Sequence, residues 1–167
     1  SSSPKQHFHQ ANQAFSIESY LSQLQDLGAM DDYYGTLDLI NELSKSIAFM
    51  TEAEVIKALE NIQGEKHWRN NGIRNLLYKR WVELNPAAAL THSLNTPADY
   101  YNMTFYRSFA SWMKLSPSDA YQWYKSNEKQ ASEQMAAEGG NTFTLLTRYD
   151  LNLAMNELAN PSLENKE

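Results

Sequence analysis

The chain contains no cysteine. That removes thiol nucleophiles, disulfides and every zinc site built on thiolates, and it tilts the compartment toward an extracytoplasmic, periplasmic setting, since a cytosolic chain of this size often keeps a thiol or two. Glycine and proline are also scarce, 6 and 5 of 167 residues, too few for a sandwich or barrel made of many tight turns, so an all-β fold is disfavoured. No apolar run approaches the roughly 18 residues that span a bilayer, so no transmembrane segment is expected. Positive charge is in deficit, with 14 Lys and Arg against 20 Asp and Glu and a net charge of −6. This balance argues against a nucleic-acid partner. The first residues, Ser1-Ser2-Ser3-Pro4-Lys5-Gln6, lack an initiating Met, which reads as a boundary within a longer protein or as a mature end left after processing.

What is present is a chain of 167 residues, 42% apolar and 20% charged, long enough to bury about two-thirds of its surface around one core without staples. Residues 1–14 hold a single large apolar residue, Phe8, and 1–15 read as a flexible lead-in. From Ser16 the apolar residues Ile17, Tyr20, Leu21, Leu24 and Leu27 recur at helical spacing until Gly28, and a second stripe from about 31 to 49 carries Tyr34, Leu37, Ile40, Leu43 and Ile47. Thr51-Glu52-Ala53-Glu54 is a capping box, Asn85-Pro86 and Ser116-Pro117 put a capping side chain before a helix-opening proline, and Thr96-Pro97-Ala98-Asp99 repeats the device. These signals predict helices over about 52–62, 66–84, 86–95, 97–114 and 117–137. Gly139-Gly140 breaks the chain again, a last stripe from Phe143 to Leu158 predicts one more helix, and 160–167 reads as a loose tail. The domain is expected to cover 16–159.

Trp81, Leu84, Asn85, Pro86 and Ala89 fall on Trp112, Leu115, Ser116, Pro117 and Ala120 at an offset of 31, and an offset of 34 backwards brings Ile47, Met50, Thr51 and Val55 onto the same positions. A unit of this length, with a long helix, a capped break and a shorter helix, is a helical hairpin that buries its apolar face only by stacking on neighbours. On these residues the chain resembles the tetratricopeptide or HEAT class of helical-hairpin solenoids. More narrowly, it looks like bacterial repeat proteins whose unit carries a Trp near the end of one helix and an Asn/Ser-Pro-x-x-Ala opening the next. The resemblance implies an all-α, right-handed α-solenoid of about four antiparallel hairpins acting by protein–protein interaction, with Trp81 and Trp112 filling the seams between hairpins.

Catalytic chemistry finds little support. His7, His9, His67 and His92 are the only histidines, none in a metal-binding motif, and His92 beside Ser93 does not make a nucleophile–base pair because adjacent helical residues diverge by about 100°. No phosphate-binding or nucleophile-elbow motif occurs, so no cofactor is expected. A carboxylate-dependent hydrolase built on Asp99 and Asp119 is the weakest reading, since both sit at helix-cap positions.

Two features carry the binding reading. Lys66, Arg69, Arg74, Lys79 and Arg80 place five of the 14 basic residues on one helix of an acidic protein, either as a solvated face balanced by Glu54, Glu60 and Glu65 or as a face that selects an acidic segment. Tyr100, Tyr106 and Arg107, followed by Trp123 and Tyr124, supply the residue types that dominate binding hot spots, either as an aromatic strip or as core. The expected function is a non-catalytic scaffold binding a protein or peptide of acidic character through Arg69, Arg74, Arg80, Tyr100, Tyr106, Arg107, Trp123 and Tyr124. The alternative is a structural or self-assembling domain of a longer protein, forming homo-oligomers through the same aromatics.

Overall fold

The computed structural model describes residues 19, 20, 22, 23, 26, 33–62, 68–97 and 103–161, with backbone only at 33 and 68–70. The lead-in, the tail from 162 and most of the 16–28 segment lie outside these residues. The chain divides into two compact units, residues 1–46 and 47–167. Among the described residues every regular element is a helix and none is a strand, so the chain is all-α.

In the first unit, residues 19, 20, 22, 23 and 26 are helical, and α1 spans Tyr33–Ile47. Its stripe is buried only in part: Leu43 is enclosed, whereas Tyr34 and Leu37 are exposed.

The second unit holds α2 (Glu52–Ile62), α3 (Trp68–Leu84), α4 (Pro86–Leu94), α5 (Thr104–Leu115), α6 (Pro117–Ser126), α7 (Glu128–Ala137), α8 (Thr142–Tyr149) and α9 (Leu151–Ala159). Helix α3 packs on α2, α4 and α5, and α5 packs on α3, α4, α6, α7 and α8. The unit is therefore organised around α5, whose Phe105, Phe109 and Met113 are fully buried; burying each contributes about 1.5–3 kcal/mol.

Thr51 opens α2 with the capping box that its sequence announces: its amide donates to Glu54 Oε2 at 2.8 Å, and the Glu54 amide donates back to Thr51 Oγ1 at 3.4 Å. The breaks at Asn85, Ser116 and Asp150 share one backbone geometry, with φ/ψ of −153/81, −151/87 and −156/103. At each, the break amide donates to the carbonyl four residues back, Trp81, Trp112 and Leu146, and the break carbonyl accepts from the amide four residues on, Ala89, Ala120 and Ala154. The residue four after each break is enclosed, Val55 after Thr51 and then those three alanines.

Three expected helices are interrupted. The one expected over 97–114 is broken at Met103, whose left-handed φ of 48° is incompatible with a continuous helix, and α5 begins at Thr104. Thr96 turns its hydroxyl back toward His92 and Tyr78 rather than forward. The helix expected over 117–137 breaks at Asn127, whose amide reaches both Trp123 and Tyr124 carbonyls at 3.1 Å while its Nδ2 donates to the Trp123 carbonyl at 2.8 Å. Asn competes with the backbone in this way, which is why it ends helices. The last predicted helix breaks at Asp150, where the carboxylate accepts from Asn152 and Leu153 amides at 3.0 and 3.1 Å.

Gly139 closes α7 as anticipated. It has a φ of 71° and its amide, with that of Gly140, returns to the Ala136 and Met135 carbonyls, which is a Schellman ending. Gly140 has no room for a side chain, since a Cβ there would lie 2.5 Å from the Tyr106 ring and 2.6 Å from Met135 Sδ.

This turn delivers Glu138. Its buried carboxylate accepts the Phe105 amide on Oε1 at 3.2 Å and the Tyr106 amide on Oε2 at 2.9 Å. Met103 offers no side-chain cap, so a residue 33 positions away caps α5. A carboxylate is suited to this place because the free amides and the helix dipole favour negative charge. Replacing Glu138 with Ala leaves those amides unpaired at about 1–3 kcal/mol each; urea unfolding is expected to show a loss of at least about 2 kcal/mol, with Glu138→Gln, which keeps one acceptor, losing less. A wild-type midpoint in Glu138→Ala would show that the cap contributes nothing.

Candidate functional site

The breaks at Asn85 and Ser116 set the residue four before them against the residue seven after them. Trp81 meets His92 at a ring separation of 5.1 Å, and 31 residues later Trp112 meets Trp123 at 6.1 Å. Trp81 and Trp112 are both buried. Tyr78 lies 6.1 Å from Trp81 and 5.8 Å from His92. In the second group Phe105 and Phe109 are nearly parallel, at 6.1 Å and 6°, Trp123 rests on Phe105 at 6.4 Å, and Tyr124 meets Phe109 at 5.2 Å. These are offset and tilted arrangements that add about 0.5–1.5 kcal/mol beyond burial.

A polar chain runs between the two groups. Tyr78 Oη lies 2.6 Å from His92 Nδ1 and 3.2 Å from Thr96 Oγ1. Burial pushes the Tyr78 hydroxyl pKa up, with Glu138 adding to the rise while Thr96 and Arg74 oppose it. Burial pushes the His92 imidazole down, with Glu60 opposing. Near neutral pH the phenol is therefore protonated and the imidazole neutral, and the imidazole tautomer sets which of Tyr78 Oη and His92 Nδ1 donates to the other. Gln134 Nε2 then bridges the Thr96 carbonyl at 3.3 Å and Glu138 Oε1 at 3.0 Å, joining this chain to the α5 cap. A second link ties α2 to the first break: Glu52 Oε1 accepts from Trp81 Nε1 at 2.7 Å and from Asn85 Nδ2 at 3.0 Å.

Against this frame the eight expected binding residues separate. Tyr100 lies outside the described residues, and only the backbone of Arg69 is described, on α3. Arg74 donates to the Ile62 carbonyl at 3.3 Å and to Asn71 at 2.9 Å, which secures the end of α2. Arg80 donates to the Met50 carbonyl at 3.1 Å and pairs with Glu83 at 3.2 Å. The partners of these two arginines are thus backbone carbonyls, Asn71 and Glu83, not Glu54 or Glu60. Tyr124 is fully buried and offers no contact surface. Trp123 is half-buried on the core side of α6, Tyr106 is half-buried against Gly140, and Arg107 is exposed.

The structure adds a residue that the sequence reading passed over. Lys114 is seven positions from Arg107 on the same face of α5 and is also exposed, so with Ser111 between them they form a stripe about 10 Å long. Neither has an ion-pair or hydrogen-bond partner for its side chain among the described residues. The spacing was present in the sequence, masked by the aromatic residues that crowd the same helix. Asp119 accepts from Ser116 Oγ at 2.7 Å, a cap contact, and Asp99 lies outside the described residues. Among the described residues no group of three His, Asp or Glu side chains is placed to hold a metal ion, and no helix is long and apolar enough to cross a membrane. No protein-family model matches the chain, and neither a curated protein nor a solved structure was found to resemble it.

Because folding lowers the His92 pKa below its ordinary value of 6.5, the unfolded chain binds the extra proton first. Stability is then expected to fall as pH drops through about 6.5 and to level off below the folded value. The lowered Glu54 carboxyl, held by the Thr51 amide and hydroxyl, loses its contribution only in the more acid range below its ordinary 4.5. Urea unfolding of His92→Gln at about pH 5 and about pH 7.5 should therefore show a smaller difference than the wild type; an equal difference would assign the effect to another group.

Proposed function

We propose that the chain is a non-catalytic helical-hairpin scaffold of the stacked, right-handed solenoid kind, which binds an acidic protein or peptide segment along the outer face of α5. The recurrence of one break geometry at Asn85, Ser116 and Asp150, with a small enclosed residue four positions later, supports the hairpin reading. The observation that carries the binding reading is the stripe of Arg107 and Lys114, two exposed cations without a partner among the described residues, on the helix held most firmly by its neighbours. A rigid helix presents them at fixed separation, so little order is lost when a carboxylate-bearing segment docks. In a protein of net charge −6 such a stripe is a local reversal of sign that steers an acidic segment to one place.

This reading moves the specificity from the α3 arginines to α5, because Arg74 and Arg80 are already engaged by backbone carbonyls. A fluorescein-labelled oligoglutamate peptide should bind with an affinity that weakens as salt is raised. It should weaken a further five- to tenfold or so in Arg107→Ala/Lys114→Ala, each exposed charge contact contributing roughly 0.2–1 kcal/mol, while Lys79→Ala on α3 leaves it unchanged. Equal binding by the double variant and the wild type in fluorescence anisotropy would remove α5 as the site.

A further inference from the structure

We infer that the outer face of α9 is a docking site for a single amphipathic helix supplied by a partner protein. The residue eight positions after each break is buried in α2, α4 and α6, where it is Leu59, Ser93 and Tyr124, yet in α9 it is Leu158, 60% exposed. The residue four after the break is enclosed in α9 as in the others, so α9 is seated on its own hairpin in the common register and only its outward side differs. With Leu158, Leu151 at 67% and Met155 at 59% exposure complete an i, i+4, i+7 stripe along the helix.

The earlier copies indicate what belongs on that stripe. Beyond its own hairpin partner, α2 packs against α3, α4 against α5 and α7, and α6 against α7, so in this register the covering element is a helix; the α9 face continues that stacking interface. Its chemistry is apolar and uncharged. Glu157 is turned inward and buried, accepting from Tyr121 Oη at 2.6 Å, and the exposed neighbours Asn152, Asn156 and Ala159 form a neutral rim. Three such side chains expose a few hundred Å², well short of the about 800 Å² per partner that a stable interface between folded domains needs. The stripe therefore fits the apolar face of one helix and not a second folded copy. This docking face rests on the stacked-hairpin reading proposed above, and not on the choice of an acidic segment for α5.

The probe is a labelled, side-chain-stapled helical peptide with the sequence of residues 104–115, the helix that covers the equivalent stripe on α4. It is expected to bind the full chain saturably, with the same affinity at low and high salt. Met155→Gln/Leu158→Gln, two substitutions at outward positions, should weaken it more than tenfold while leaving the circular dichroism melt unchanged, and Arg107→Ala/Lys114→Ala should bind like the wild type. Absence of saturable binding would overturn the proposal, as would equal binding by Met155→Gln/Leu158→Gln. So would a dimer in sedimentation velocity that this variant abolishes, since the occupant would then be a second copy. A salt-sensitive oligoglutamate result on α5 stands or falls separately.

Discussion

The carboxylate of Glu138 on the first amides of α5 is the contact on which the second unit depends. Met103, in a left-handed conformation, precedes α5 without offering a side-chain cap, so α5 begins with free N–H groups in a region its neighbours cover. A buried, unpaired amide is costly, and a buried carboxylate without partners more so. Each meets the other's need here, and Gln134 satisfies a further part of the carboxylate while tying it to the Thr96 carbonyl. Since α5 packs on α3, α4, α6, α7 and α8, the position of its N-terminus sets how five other helices meet. The Schellman turn at Gly139 and the missing side chain at Gly140 follow from the same constraint: α7 must end where Glu138 reaches α5 and where the Tyr106 ring needs the space.

Around that point the chain reuses one joint with different side chains. Asn85 accepts from the Ala88 amide, Ser116 donates to Asp119, and Asp150 accepts from two amides, yet φ and ψ differ by only a few degrees in φ and about 20° in ψ among the three. The joint is held by the amide of the break residue bonding back to the helix before it and its carbonyl bonding forward to the helix after it. Any residue whose side chain prefers local hydrogen bonds to helical continuation suits this geometry. Proline after the cap favours it at Pro86 and Pro117 but is dispensable, as Leu151 shows.

The surfaces left over differ in kind. On α5 the outward residues are cations on a helix whose other sides are covered; on α9 they are aliphatic with a neutral rim. Accordingly, recognition by exposed charge is weakened by salt, whereas recognition by an apolar stripe is not.

Composition and periodicity by themselves determined the helical class, the joints at Thr51, Asn85 and Ser116, and the enclosure of Trp81 and Trp112, because caps, prolines and apolar spacing act over a few residues and leave their mark in order along the chain. They did not separate α6 from α7 or α8 from α9, since Asn127 and Asp150 interrupt an apolar stripe that continues on both sides of the break. Only the tertiary structure decided that Arg74 and Arg80 spend their donors on Met50 and Ile62 carbonyls, that Tyr124 belongs to the core and that Glu138 caps a helix 33 residues earlier in the chain. These are contacts between segments far apart in sequence, whose partners are fixed by how helices stack and not by any spacing that a single helix displays.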